Sequence, residues 1–262
     1  MVIDRTGLLI VGHGTQDPEG VQAFAQVLAE VRQRLPVPVE GCFLEFARPT
    51  IGEGVRRMVD RGTRRIVAMP LLLFAAGHVR RDIPAALRAA ASGFGAIEII
   101  QAPHLGCCWP MVELSRQRCE QALAGLPSVR PEDMAVLLVG RGSREPSALA
   151  EMQQFAALRG VVPGPRGGWC FLAMAKPSLA EGLQRMAATP AQRIVVQPHL
   201  LFSGKLAEEV AAAVAKQQDA HPAKRWVVAR PLAPDPLVVA AILHRVGQPL
   251  GLPELPVAKQ AS

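Results

Sequence analysis

The chain has 262 residues, half of them hydrophobic and only 19% charged, a balance that supports packed cores and excludes a disordered polymer. A net charge of +7 points to an anionic partner, but the basic residues fall in scattered pairs such as Arg56-Arg57, Arg64-Arg65 and Arg80-Arg81. Aromatic residues make up 4% and tyrosine is absent, so base-stacking platforms are scarce; the charge fits an anionic small molecule at least as well as nucleic acid.

In chain order, apolar runs at 8–11, 39–46, 65–73 and 97–101 read as strands, and the segments 19–35, 50–61, 79–91 and 110–124 read as helices. In the first of these helices Val21, Phe24, Ala25, Leu28 and Val31 trace one face, and Pro36 and Pro38 stop it. Further on, strands are expected at 135–139, 169–173, 193–200 and 225–229, with helices at 146–158, 178–188, 206–218 and 236–246. The stretch 160–168 reads as an irregular loop, and the tail from Pro249 as frayed or disordered. Strands this apolar, alternating with helices, call for parallel sheets covered on both faces.

The second half repeats the first. Val136-Leu137-Leu138-Val139-Gly140-Arg141-Gly142-Ser143 restates Leu8-Leu9-Ile10-Val11-Gly12-His13-Gly14-Thr15, 128 residues later. Cys170-Phe171-Leu172 restates Cys42-Phe43-Leu44, and Pro198 restates Pro70, at the same offset. Two α/β lobes are expected, 1–127 and 128–262, joined near Pro127 and Pro131. The framework is duplicated while the chemistry is not: His13 becomes Arg141, Glu45 becomes Ala173 and, after a one-residue deletion, His78 becomes Lys205.

His13 follows a strand directly and is flanked by glycines. In a parallel α/β sheet the carboxyl ends of the strands are where ligands bind. His78 follows the run Pro70–Phe74 and the small residues Ala75-Ala76-Gly77, so it falls on the same sheet edge. Two neutral imidazoles converging there suit a first-row divalent metal. Glu45, among apolar neighbours, needs a cation or a proton; it could complete the metal site, relay protons, or simply pair with Arg48. His104 follows the fourth strand as either a site residue or a loop residue, whereas His199, His221 and His244 read as structural or solvent-facing.

Other chemistries find no motif. Gly12-His13-Gly14-Thr15 lacks the third glycine of a dinucleotide fingerprint, and no phosphate-binding G-x-x-x-x-G-K-[ST] occurs, so no nucleotide is implied. Five cysteines, odd in number and without a C-x-x-C pair, argue against a disulfide framework, a zinc ribbon or a cysteine-held cluster. The longest apolar run is shorter than the roughly 20 residues a bilayer requires, and no signal peptide is visible ahead of the first strand. A soluble, cytoplasmic protein is expected.

Taken together, Leu9 to Thr15, Glu45 with Arg48-Pro49, Pro70 to Leu73, and Gly77-His78 with Asp82-Ile83-Pro84 resemble the CbiX/SirB family, the class II sirohydrochlorin chelatases. The resemblance spans about residues 7–248. It implies two flavodoxin-like lobes, each a parallel sheet of about four strands flanked by helices, with a cleft between them. It also implies that His13 and His78 bind the metal and assist proton removal, helped by Glu45. The activity implied is insertion of a divalent metal into sirohydrochlorin with release of two protons and no ATP. Co²⁺ is the expected metal, because the two-lobed chain looks like the cobalamin-pathway form, with Fe²⁺ or Ni²⁺ as alternatives. Arg48, Arg80, Arg81, His104, Arg141 and Lys205 are the candidates for holding the carboxylates of the tetrapyrrole. A monomer is expected, since the repeat supplies internally the second lobe that a half-length relative would gain by dimerising. A non-catalytic metal or tetrapyrrole carrier, or a nucleic-acid-binding protein, are the readings from other classes.

Overall fold

A computed structural model describes residues 5–252. It contains two four-stranded sheets, all of whose pairings are parallel. The first sheet comprises β1 (Thr6–Gly12), β2 (Val39–Phe43), β3 (Arg65–Pro70) and β4 (Glu98–Gln101), in the order β2-β1-β3-β4. The second comprises β5 (Met134–Gly140), β6 (Gly167–Phe171), β7 (Arg193–His199) and β8 (Arg225–Val228), in the order β6-β5-β7-β8. Helices α1 (Pro18–Arg34), α2 (Ile51–Asp60), α3 (Ile83–Ala91) and α4 (Trp109–Leu123) alternate with the first set of strands. Helices α5 (Pro146–Leu158), α6 (Leu179–Ala187), α7 (Lys205–Ala220) and α8 (Pro236–Leu250) alternate with the second.

The repeat extends to individual core positions. Leu9, Val11, Cys42, Val55, Ile66 and Ala68 form a buried cluster in the first unit. Leu137, Val139, Cys170, Leu183, Ile194 and Val196 occupy the same six positions in the second. Burying such aliphatic side chains contributes roughly 1.5–3 kcal/mol each, which makes every residue of β1 interior and explains its uninterrupted apolar run. The helix starts are duplicated as well. Thr50 and Glu53 form a capping box at α2, and Ser178 and Glu181 form one at α6, where the hydrogen bonds from the Ser178 backbone and hydroxyl hold the Glu181 carboxyl down at about 2. All five cysteines are free thiols, and burial pushes that of Cys170 up to about 12, leaving it inert as a nucleophile or ligand.

Several sequence expectations shift. The buried face of α1 is Gly20, Phe24, Val27 and Val31, while Val21 is exposed, so the apolar stripe runs one position away from the one its periodicity suggests. The second strand ends at Phe43 and not 46, because the chain bends at residues 44–46. The expected helix at 79–91 is a turn of π-helix, His78–Asp82, leading into α3. Helix α8 runs through Pro249 to Leu250 and closes on Gly251 in the left-handed conformation; the remainder of the expected disordered tail lies outside the described residues.

The compact units do not follow the repeat boundary expected at 127/128. One unit is built from the chain up to Pro110 and from Pro234 onward, the other from Met111–Ala233. Each repeat gives its last helix to the other unit. In the first, α8 packs on α1, β1 and β3, and Arg245 donates from both Nε and Nη2 to the Leu105 carbonyl. In the second, Cys119 of α4 is buried with Val195 and Ala229, and Ser115 of α4 donates to Gln197 of β7.

Candidate metal centre

The first unit assembles a site at the carboxyl edge of its sheet. Beyond β1 the chain runs alongside the extension of β2: Leu44 N–H donates to Gly12 O (2.9 Å) and Glu45 N–H to His13 O (3.0 Å). Gly14 permits this close approach. Its φ is +102°, and a Cβ there would lie 1.6 Å from the carbonyl oxygen of Glu45. His13 and Glu45 are thereby brought together by backbone geometry, and His13 Nε2 lies 3.1 Å from Glu45 Oε1.

His78 arrives from a different element. It begins the π-helical turn after β3, with Val79 and Ile83 anchored in the core. Its Nε2 is 4.0 Å from the same Glu45 oxygen, and its ring meets that of His13 edge-on at a centroid distance of 4.9 Å. Asp82, four residues on at the end of the same five-residue π-turn, lies beside its ring, with Nδ1 2.8 Å from Asp82 Oδ2. The Nδ1 of His13 is 3.1 Å from Gly14 O. With Nδ1 protonated in both histidines, both Nε2 lone pairs are turned to one point, the tautomer a metal ligand requires.

The ligand atoms of His13, Glu45 and His78 all lie within 4.8 Å of one another. Donors bonded at about 2.1 Å to a single first-row ion lie roughly 3–4 Å apart, so the trio could close on one ion with small side-chain movements. The three side chains are 23%, 39% and 35% exposed. Such a site can hold an ion while leaving coordination positions open, the pattern of a centre that passes its metal on or activates a ligand.

The remaining expected residues are placed less centrally. Arg48 pairs with Glu53 and not with Glu45, which removes the simple salt-bridge account of Glu45. Arg80 and Arg81 are exposed on the His78 turn, and His104 sits half-buried beside Gly106 after β4. Arg141 and Lys205 stand in the second unit, exposed, at the end of β5 and the start of α7. Asp82 is the contributor that sequence reasoning passes over as part of a motif. Its signal is a carboxylate four residues after a histidine, legible only once the turn between them is known to be helical. His199, expected to be structural or solvent-facing, is buried at the end of β7 against Phe155 (4.1 Å between ring centroids).

A parallel α/β unit with His13, Glu45 and His78 gathered at its sheet edge has the donor set of a protein that handles a divalent metal ion. Comparisons with known proteins narrow this. The CbiX family model matches residues 7–122 and 135–248, one copy per repeat. The sirohydrochlorin ferrochelatase of Priestia megaterium is 33% identical over 205 residues, 78% of this chain and 76% of the relative. The sirohydrochlorin cobaltochelatase of the same organism is 28% identical over 215 residues, 82% and 70% of the two chains. The solved structure of SirB from Bacillus subtilis with Fe³⁺ superposes with a TM-score of 0.82 at 30% identity, covering 93% of this chain and 94% of that one. The chain belongs to the CbiX family and is a metal chelatase. No helix among the described residues is long and apolar enough to cross a membrane.

Proposed function

We propose that this chelatase inserts a divalent metal ion into sirohydrochlorin, with His13, Glu45 and His78 holding the incoming ion. The observation that carries the reading is the convergence of these three ligand atoms within 4.8 Å in the unit that kept them. The reaction exchanges two pyrrole N–H protons for one M²⁺ and consumes no nucleotide. The three side chains bind the ion through part of its coordination sphere, and their partial exposure leaves the rest to water and then to the ring nitrogens. Glu45, touching both histidines, is the group best placed to take a proton as the ion leaves. Arg48, Arg80, Arg81 and His104, with Arg141 and Lys205 from the second unit, are the side chains we assign to the substrate carboxylates. The enzyme is proposed to act as a monomer.

The metal is Co²⁺ or Fe²⁺. The cobalt expectation rests on the two-lobed chain, but the ferrochelatase and the cobaltochelatase of Priestia megaterium both match it over similar lengths, so length does not separate the two. Nor does the donor set, because two imidazoles and a carboxylate suit both ions. The test follows the absorbance of metal-free sirohydrochlorin with Co²⁺, Fe²⁺ and Ni²⁺ offered side by side. Catalysed insertion by the wild type, lost in His13→Ala and His78→Ala, is expected. A protein that binds the tetrapyrrole without accelerating insertion of any of the three is a carrier and not an enzyme.

A further inference from the structure

Next to the metal ligands, one residue departs from what its chemistry favours. Phe46 is 61% exposed, although a phenyl ring gains free energy by burial. Its φ is +61°, a region that disfavours residues with a Cβ. The Ala47 N–H donates to Glu45 O at 2.8 Å, so Phe46 is the centre of a three-residue turn whose positive φ makes it the rarer hand. The turn aims the ring at the site: Phe46 and His13 stack with centroids 5.9 Å apart and planes 29° from parallel. Two independent costs, exposure and backbone strain, are thus concentrated on an aromatic ring beside His13, and such outliers mark positions with a use.

The repeat shows that holding Glu45 is not that use. At the equivalent position of the second unit, Met174 has φ +58° and is 54% exposed. The residue before it is Ala173, which has no carboxylate to position. The positive φ and the exposed apolar side chain therefore accompany the loop even where there is no metal ligand to serve.

We infer that Phe46 is a substrate-positioning residue, whose ring packs against the apolar body of the tetrapyrrole and seats it over the ion held by His13, Glu45 and His78. The inference rests on the chelatase reading above. A macrocycle offers carboxylates at its rim and an apolar body within, and the basic side chains already assigned answer only the rim. An aromatic ring beside the metal ligands supplies the complementary contact, edge-on or offset.

The test is a titration of the wild type and of Phe46→Ala with metal-free sirohydrochlorin, followed by absorbance, together with a separate Co²⁺ titration of each protein. Phe46→Ala is expected to raise the tetrapyrrole Kd about tenfold and to leave the Co²⁺ Kd within about twofold, with Phe46→Trp restoring binding. Val162→Ala, which trims an apolar side chain that is 63% exposed, is expected to change neither. Phe46→Gly should lose the same affinity while its melting temperature stays level or rises, since glycine relieves the strain. Equal tetrapyrrole affinity in Phe46→Ala and wild type overturns the inference and leaves the chelatase reading standing, as does a Co²⁺ affinity that falls in step with the tetrapyrrole affinity. Failure of the wild type to bind sirohydrochlorin overturns both.

Discussion

Asp82 offers the sharpest test of how the metal centre is organised. Its carboxylate, 2.8 Å from His78 Nδ1, fixes the ring orientation and the tautomer that frees Nε2. Removing such a partner from a metal-ligating histidine costs 10–100-fold in metal affinity or activity. Here the two side chains are 35% and 50% exposed, so water competes for the bond and the effect belongs at the lower end. Asp82→Ala should therefore raise the KM for metal about tenfold, equivalent to about 1.4 kcal/mol. Asp82→Asn keeps an acceptor for the Nδ1–H and loses only the charge, so its effect should be smaller, about threefold. Initial rates of insertion at saturating tetrapyrrole, with Co²⁺ varied, separate the metal KM from the tetrapyrrole KM. The tetrapyrrole KM should stay near its wild-type value, because Asp82 acts through His78. A wild-type metal KM in Asp82→Ala, or equal losses for Ala and Asn, would refute the claim that Asp82 sets the orientation of His78.

The fold and the meeting of His13, Glu45 and His78 at one sheet edge were legible because each leaves a local signature. Apolar runs mark the strands, amphipathic runs the helices, and a histidine at a strand end marks a sheet-edge site. The internal repeat added a contrast, since a framework that persists while His13, Glu45 and His78 change separates packing from chemistry. What escaped depends on packing or on backbone angles. The stripe on α1 shifts because Val27 enters the core where Val21 does not. The exchange of α4 and α8 between units is set by which sheet each helix packs on, and the order of elements along the chain does not carry it. A pair with Arg48 is one of the three readings the sequence leaves open for Glu45, and only the fold removes it, because Glu53 in the first turn of α2 takes Arg48. Asp82 and Phe46 were hidden for a common reason. A π-turn and a positive φ on a phenylalanine are conformations that residue preferences argue against, so only the folded chain exposes them.

Further outcomes follow from the two halves of the chain. Gly14→Ala should lower the melting temperature and cut insertion at least tenfold, because its Cβ would strike the Glu45 carbonyl and displace a ligand. Gly142→Ala meets the Ala173 carbonyl at 1.8 Å and should destabilise similarly, yet turnover per folded molecule should survive; equal loss of turnover in both would contradict the assignment of the centre to the first unit. Arg141→Ala and Lys205→Ala should raise the tetrapyrrole KM more than they lower kcat, with the difference shrinking as salt rises; a salt-independent loss of kcat would argue against a purely electrostatic role. Acid stability should be governed in part by His199, whose complete burial pushes its pKa down to about 3. Between the unfolded value of about 6.5 and that folded value, the unfolded chain binds the extra proton, so stability is lost as pH falls through the window, by about 1.4 kcal/mol per unit. The repeat names the substitution that removes this effect, for Leu71 is the buried counterpart of His199 in the first half. His199→Leu should unfold at a urea concentration that changes less between pH 6.5 and pH 4.5 than that of the wild type, whatever its stability at neutral pH. Parallel losses in the two proteins would show that protonation at other sites, and not exposure of His199, drives acid unfolding.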